Sequence, residues 1–101
     1  MQERRTTERI RTNLKARWEA LTSHGRGAVW DLSEGGCFVL TGGEVTTGEL
    51  VRLEIHFSDR VDLVWGKVVY AIAEMGFALR FAFGNQDERR ALANRIESEQ
   101  W

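Results

Sequence analysis

Several stretches of this chain alternate apolar and polar side chains with a period of two, and that period limits the fold more than any other feature. In LVRLEIHF, Val51, Leu53, Ile55 and Phe57 share one face and Arg52, Glu54 and His56 the other. In MGFALRFAF, Met75, Phe77, Leu79, Phe81 and Phe83 fall on one side. A helix would scatter these residues around its circumference, whereas a half-buried strand gathers them. Leu14, Ala16, Trp18 and Ala20 alternate with Lys15, Arg17 and Glu19 until Ser23-His24-Gly25 interrupts, so GRGAVWDL reads as the returning strand of a hairpin. CFVL is a third strand, residues 41–48 a loop, and RVDLVWGKVVYAIA a long strand with a bulge or bend expected at Gly66. Beyond Phe83 the period changes. Asn85 with Glu88 marks a helix start, and Leu92, Ala93 and Ile96 form a narrow apolar stripe, giving a short C-terminal helix over 86–99. Six meandering antiparallel strands of this length predict a mainly β fold that closes into a small barrel, because a flat sheet would leave edges and a hydrophobic face open.

At 101 residues, 43% hydrophobic and 29% charged, the chain predicts one globular domain. Apolar runs are only a few residues long and the N-terminus is polar, so neither a leader nor a membrane segment is expected, and the expected location is cytoplasmic. One cysteine and two histidines in no ligand spacing imply no metal and no cofactor. Cys37 reads as a small buried hydrophobe, His24 and His56 as exposed, and Trp18, Trp30 and Trp65 as core or barrel-face residues. Charge is unevenly placed: residues 1–30 carry seven basic and three acidic side chains, the remainder seven and twelve. A local basic cluster suits a small anion better than a polymer, so no nucleic-acid or membrane partner is expected.

Residues 1–11 contain four arginines and only Ile10 as a sizeable apolar side chain after Met1, which predicts a mobile arm preceding a barrel domain over 12–101. Within the arm, Arg5 and Arg9 are spaced RxxxR with Arg4 beside them. DLSEGG, Asp31 to Gly36, has the form DxSxxG; its acid, hydroxyl and glycines suit an ordinary turn and equally a turn built around a ligand. With the hairpin turning near His24, residues 33–36 fall opposite about 12–15, so the arm leaves the barrel beside DLSEGG.

Taken together, RxxxR on an N-terminal arm, DxSxxG after the second strand, GFALRF near the end and a C-terminal helix resemble a PilZ domain over nearly the whole chain. The resemblance implies a six-stranded antiparallel PilZ-type β-barrel and a receptor for the bacterial second messenger cyclic di-GMP. It assigns ligand contacts to Arg4, Arg5, Arg9, Asp31, Ser33, Gly35 and Gly36. It extends to Tyr70, where the family often sets an aromatic or apolar residue against the ligand and where simple packing is the alternative; Arg80, apart from the resemblance, is expected either to reach the ligand or to pair with a surface acid. Arginine just before RxxxR, here Arg4, is associated by resemblance with two intercalated ligand molecules. The chain departs from the family in lacking a proline after RxxxR and in having Ala78 where glycine is common.

The chemistry agrees with these residue types. Arginine grips phosphate with a fork, stacks on purine faces and bonds guanine O6 and N7. A carboxylate such as Asp31 accepts from guanine N1–H and N2–H, and a glycine without Cβ admits a planar base close to the backbone. The sequence contains no nucleophile elbow, Cys-His pair or carboxylate pair in a recognisable motif, so an enzyme is not expected. The expected function is a receptor that relays cyclic di-GMP to an unidentified protein partner by closure of its arginine arm. The alternatives are a PilZ-like adaptor that binds no nucleotide and a small-barrel nucleic-acid binder.

Overall fold

The computed structural model describes residues 9–99. Its elements are β1 (Leu14–Glu19), β2 (His24–Ser33), β3 (Gly36–Leu40), β4 (Leu50–His56), β5 (Val61–Ile72), β6 (Gly76–Ala82) and α1 (Gln86–Glu99). Every strand pair is antiparallel, and the order β1-β2-β3-β6-β5-β4 returns to β1, so the sheet is a closed six-stranded barrel. The alternating apolar positions explain the closure. Trp18, Val29, Val39, Leu53, Ile55, Phe77 and Leu79 all point inward and are buried, and closing the ring removes their shared face from water. Each large side chain buried this way contributes roughly 1.5–3 kcal/mol. Within the core, the Trp18 and Phe77 rings meet edge to face with centroids 5.2 Å apart.

The helix caps one end of the barrel. Asn85 Oδ1 accepts the Glu88 N–H at 2.9 Å and the Glu88 carboxylate accepts the Gly84 N–H at 2.7 Å, which starts α1. Leu92 and Ile96 then bury into the barrel end. Three polar ties fix the helix across that end: Arg95 to Asp62 at 2.7 Å, Ser58 donating from N–H and Oγ to Glu99 at 3.0 and 2.8 Å, and Arg89 to Glu34 at 2.9 Å. Among the described residues no helix is long and apolar enough to cross a membrane.

The structure corrects three local expectations. The first hairpin turns at Leu21-Thr22, closed by the Ala20 N–H donating to Ser23 O at 2.7 Å, and His24 is already the first residue of β2 opposite Glu19. Gly25 lies within the strand, opposite Trp18, and so does not mark the turn. This register carries Leu32 past residues 12–15 to Ile10, with which it exchanges two backbone hydrogen bonds of 2.8 Å. Of the segment 1–11 expected as an arm, residues 9–11 are described and Ile10 pairs with β2; Arg4 and Arg5 lie outside the described residues.

The irregularity in β5 falls at Val69, between Val68 and Tyr70, and not at Gly66. Gly66 sits in regular ladder positions opposite Val51 and Phe81; a Cβ there would stand 2.9 Å from the Arg80 carbonyl oxygen, so it serves close approach of strands. Met75, expected on the inward face with Phe77, lies in the turn before β6 and is 51% exposed.

Candidate functional site

Two bulges aim side chains at one patch of the outer barrel wall. In β2, Trp30 faces Phe38 and Ser33 faces Gly36, so Asp31 and Leu32 together oppose the single residue Cys37. The extra residue is accommodated by Asp31, whose φ of 61° is left-handed, a conformation that aspartate tolerates better than most side chains. Leu32 consequently turns into the core while the Asp31 carboxylate stays at the surface. Arg9 lies beside it, Nε 3.2 Å from Asp31 Oδ2. In β5, the bulge at Val69 advances the register so that Tyr70 faces Ala78.

Together these registers align Trp30, Phe38, Ala78 and Tyr70 in a single outward row across β2, β3, β6 and β5. The methyl of Ala78 between two larger neighbours leaves a depression. Phe38 and Tyr70 tilt over it at 43° with centroids 6.1 Å apart. The resulting groove has a volume of about 410 Å³, with Arg9 and Asp31 as its charged members and Ile72 and Met75 extending its apolar wall. Trp30 is 39% and Tyr70 50% exposed, so both rings reach the surface of the groove. Arg11 places its guanidinium 4.8 Å from the Trp30 ring centroid, in cation–π contact.

The DxSxxG residues divide into two roles. Asp31 presents a carboxylate to the groove, whereas Ser33 is 1% exposed and folds its hydroxyl into the turn. Ser33 Oγ accepts the Gly35 N–H at 3.2 Å and donates to Gly36 O at 3.3 Å, and Gly35 O accepts the Phe81 N–H at 2.9 Å. Gly36 is buried against β6, and a Cβ on it would stand 2.1 Å from the Leu79 carbonyl oxygen. Strand contact alone is thus sufficient to require glycine at 36, apart from the base contact expected from the sequence. Gly35 is more open, with only Ser33 Oγ near its Cβ position at 3.8 Å. Arg80 points outward opposite Gly36 and Lys67, one step along β6 from Ala78; it does not line the groove and makes no ion pair among the described residues.

Trp30, Phe38 and Met75 belong to the groove and escaped the sequence reading as site residues. The available signal was the Val29/Trp30 and Phe38/Val39 alternation, which puts Trp30 and Phe38 outward once Val29 and Val39 are inward. Cys37 lies fully buried opposite the bulge, and burial pushes its thiol up to about 12 despite the opposing effect of Arg9. Native protein at pH 8 is therefore expected to resist iodoacetamide, with alkylation appearing only in urea; mass spectrometry of the Cys37 peptide reads the difference, and rapid native labelling would contradict the assignment.

The PilZ domain profile matches residues 3–98, nearly the whole chain. No curated protein sequence matches. Among solved structures, Bacillus subtilis Inhibitor of motility (MotI/DgrA) superposes with a TM-score of 0.69 at 19% sequence identity. The match covers 97% of this chain and 52% of the other, so this chain spans about half of that protein, and the likeness is one of fold.

Proposed function

The chain belongs to the PilZ domain family, a family of non-catalytic domains that typically bind cyclic di-GMP, and we propose that it is a cyclic di-GMP receptor. The observation that carries this reading is the meeting of Arg9, from RxxxR, with Asp31, from DxSxxG, in an aromatic groove. The two side chains satisfy each other in the free protein, and a guanine nucleotide offers each a better partner: phosphate for the guanidinium, N1–H and N2–H for the carboxylate. The aromatic row gives a base something to lie against. A guanidinium already resting on Trp30 supports the same chemistry, since a purine face can take its place or stack with it.

In this reading Arg4 and Arg5 add phosphate and base contacts, and the segment 1–11 closes over the groove as ligand arrives, hinged at Ile10 where the backbone is paired with Leu32. Ser33, Gly35 and Gly36 contribute by holding the turn that sets Asp31 in place. Two intercalated molecules fit the presence of Arg4. The closed arm is the signal passed to a protein partner, in the cytoplasm where a nucleotide messenger acts.

Isothermal titration with cyclic di-GMP, beside cyclic di-AMP and a short single-stranded oligonucleotide, tests the reading. Saturable heat with cyclic di-GMP alone is expected. No heat from any ligand supports the nucleotide-free adaptor, and heat from the oligonucleotide the nucleic-acid binder; either result overturns the proposal.

A further inference from the structure

Leading away from the groove, the outward face of the chain from residue 9 to residue 17 reads Arg9, Arg11, Asn13, Lys15, Arg17, every second residue and all exposed. Arg9 is engaged by Asp31 and Arg11 by the Trp30 ring. Lys15 and Arg17 have no carboxylate partner among the described residues, and the β1–β2 register sets Arg26 directly opposite Arg17. Like charges in directly opposed strand positions destabilise a sheet, and the barrel derives nothing from this pair.

A cleft of about 320 Å³ opens at that point, lined by Arg17, Arg26 and Arg52 with Glu19 and Glu54. Neither of its two acids forms an ion pair with Arg17 or Arg26. Glu19 pairs with Arg52 at 3.2 Å, and Glu54, although opposite Arg17 in the register, approaches His56 at 3.6 Å. Two guanidinium groups therefore share a concave site without an ion pair to either among the described residues.

We propose that the outer face of β1 docks an acidic segment of a partner protein, with a carboxylate seated between Arg17 and Arg26 and a second one on Lys15. Residues 15 and 17 lie about 7 Å apart along the strand, the spacing of alternate side chains in an extended peptide. A protein segment fits better than nucleic acid. The cations form a row one strand wide bordered by Glu19 and Glu54, and residues 31–101 carry an excess of acids, so a long phosphate backbone running beyond the row would meet negative charge. The row begins at Arg9 and Arg11, so an occupant of β1 would lie beside the nucleotide groove. The inference itself rests on strand register and charge pairing and stands apart from the cyclic di-GMP reading.

The probe is a fluorescein-labelled peptide of alternating Glu and Thr, about twelve residues long to span the row at ~3.3 Å per residue. Fluorescence anisotropy should show binding to the parent that weakens steeply with salt. The Arg17→Gln/Arg26→Gln variant should bind about tenfold more weakly, the effect of two exposed ion pairs. Its melting temperature should equal or exceed the parent's, because a repulsive pair is gone, and its cyclic di-GMP titration should match the parent's, which separates this site from the groove. Absence of peptide binding by the parent, undiminished binding by the variant, or a lowered melting temperature would overturn the proposal. Tighter binding of an oligothymidylate of equal length through the same two arginines would replace the acidic segment with nucleic acid and overturn it as well.

Discussion

Gly36→Ala is expected to destabilise the barrel by about 3 kcal/mol or more, whereas Gly35→Ala, one residue earlier in the same motif, should leave stability nearly unchanged. The difference lies in what a methyl group meets. At 36 it would stand 2.1 Å from a backbone carbonyl of β6, and neither strand can withdraw without opening the β3–β6 ladder at Gly36 and Arg80. At 35 the nearest atom is a hydroxyl at 3.8 Å, ordinary contact. Urea unfolding followed by circular dichroism gives the measurement, read as a change of midpoint at constant slope. Equal stability of the two variants would show that the β3–β6 contact is looser than described and would return Gly36 to a purely ligand-facing role.

The second large effect is on binding. Arg9→Ala and Asp31→Asn should each reduce cyclic di-GMP affinity about ten- to hundredfold, the 1.5–3 kcal/mol of a hydrogen bond to a charged group, while shifting the melting temperature little. Their mutual ion pair is exposed and adds at most about 1 kcal/mol to folding. Asparagine is the informative substitute at 31 because it accepts the left-handed backbone that Asp31 adopts, so the change tests the anion and not the bulge. The two losses should differ in kind. Asp31→Asn should erode the preference for guanine over adenine, since its amide presents a donor to guanine N1–H; Arg9→Ala should weaken phosphate-bearing ligands alike. Unchanged affinity in either variant, or loss of folding in both, would refute the proposed roles.

Much of the barrel was legible because closure depends on inward alternation, and LVRLEIHF and GFALRF alternate without a break. The short helix was legible from Asn85, Glu88 and the Leu92/Ile96 spacing. Register was less so. Leu21-Thr22 turns the chain without glycine or asparagine, and Gly25 and Gly66 serve packing, so the usual punctuation pointed a few residues away. That displacement matters: the observed register brings Arg9 itself to Asp31, where the expected one brought residues 12–15 to the turn. Bulges are equally hard to foresee, since an extra residue is recognised only against its partner strand. The Val69 bulge decides that Tyr70 enters the aromatic row, and the Asp31 bulge decides that Leu32 enters the core.

A ring in which each of the six strands is hydrogen-bonded on both sides has used up its backbone donors and acceptors along the ladder. A partner cannot extend this sheet by adding a strand, and the same saturation denies the barrel a template for stacking copies of itself into fibrils. Recognition is left to the outward half of each strand, which the alternation separates from the inward half residue by residue. Such a scaffold can acquire a new partner through exchanges at positions like 15, 17 and 26 while Trp18, Leu53 and Phe77 stay as they are, so the surface is free to diverge at little cost to the core.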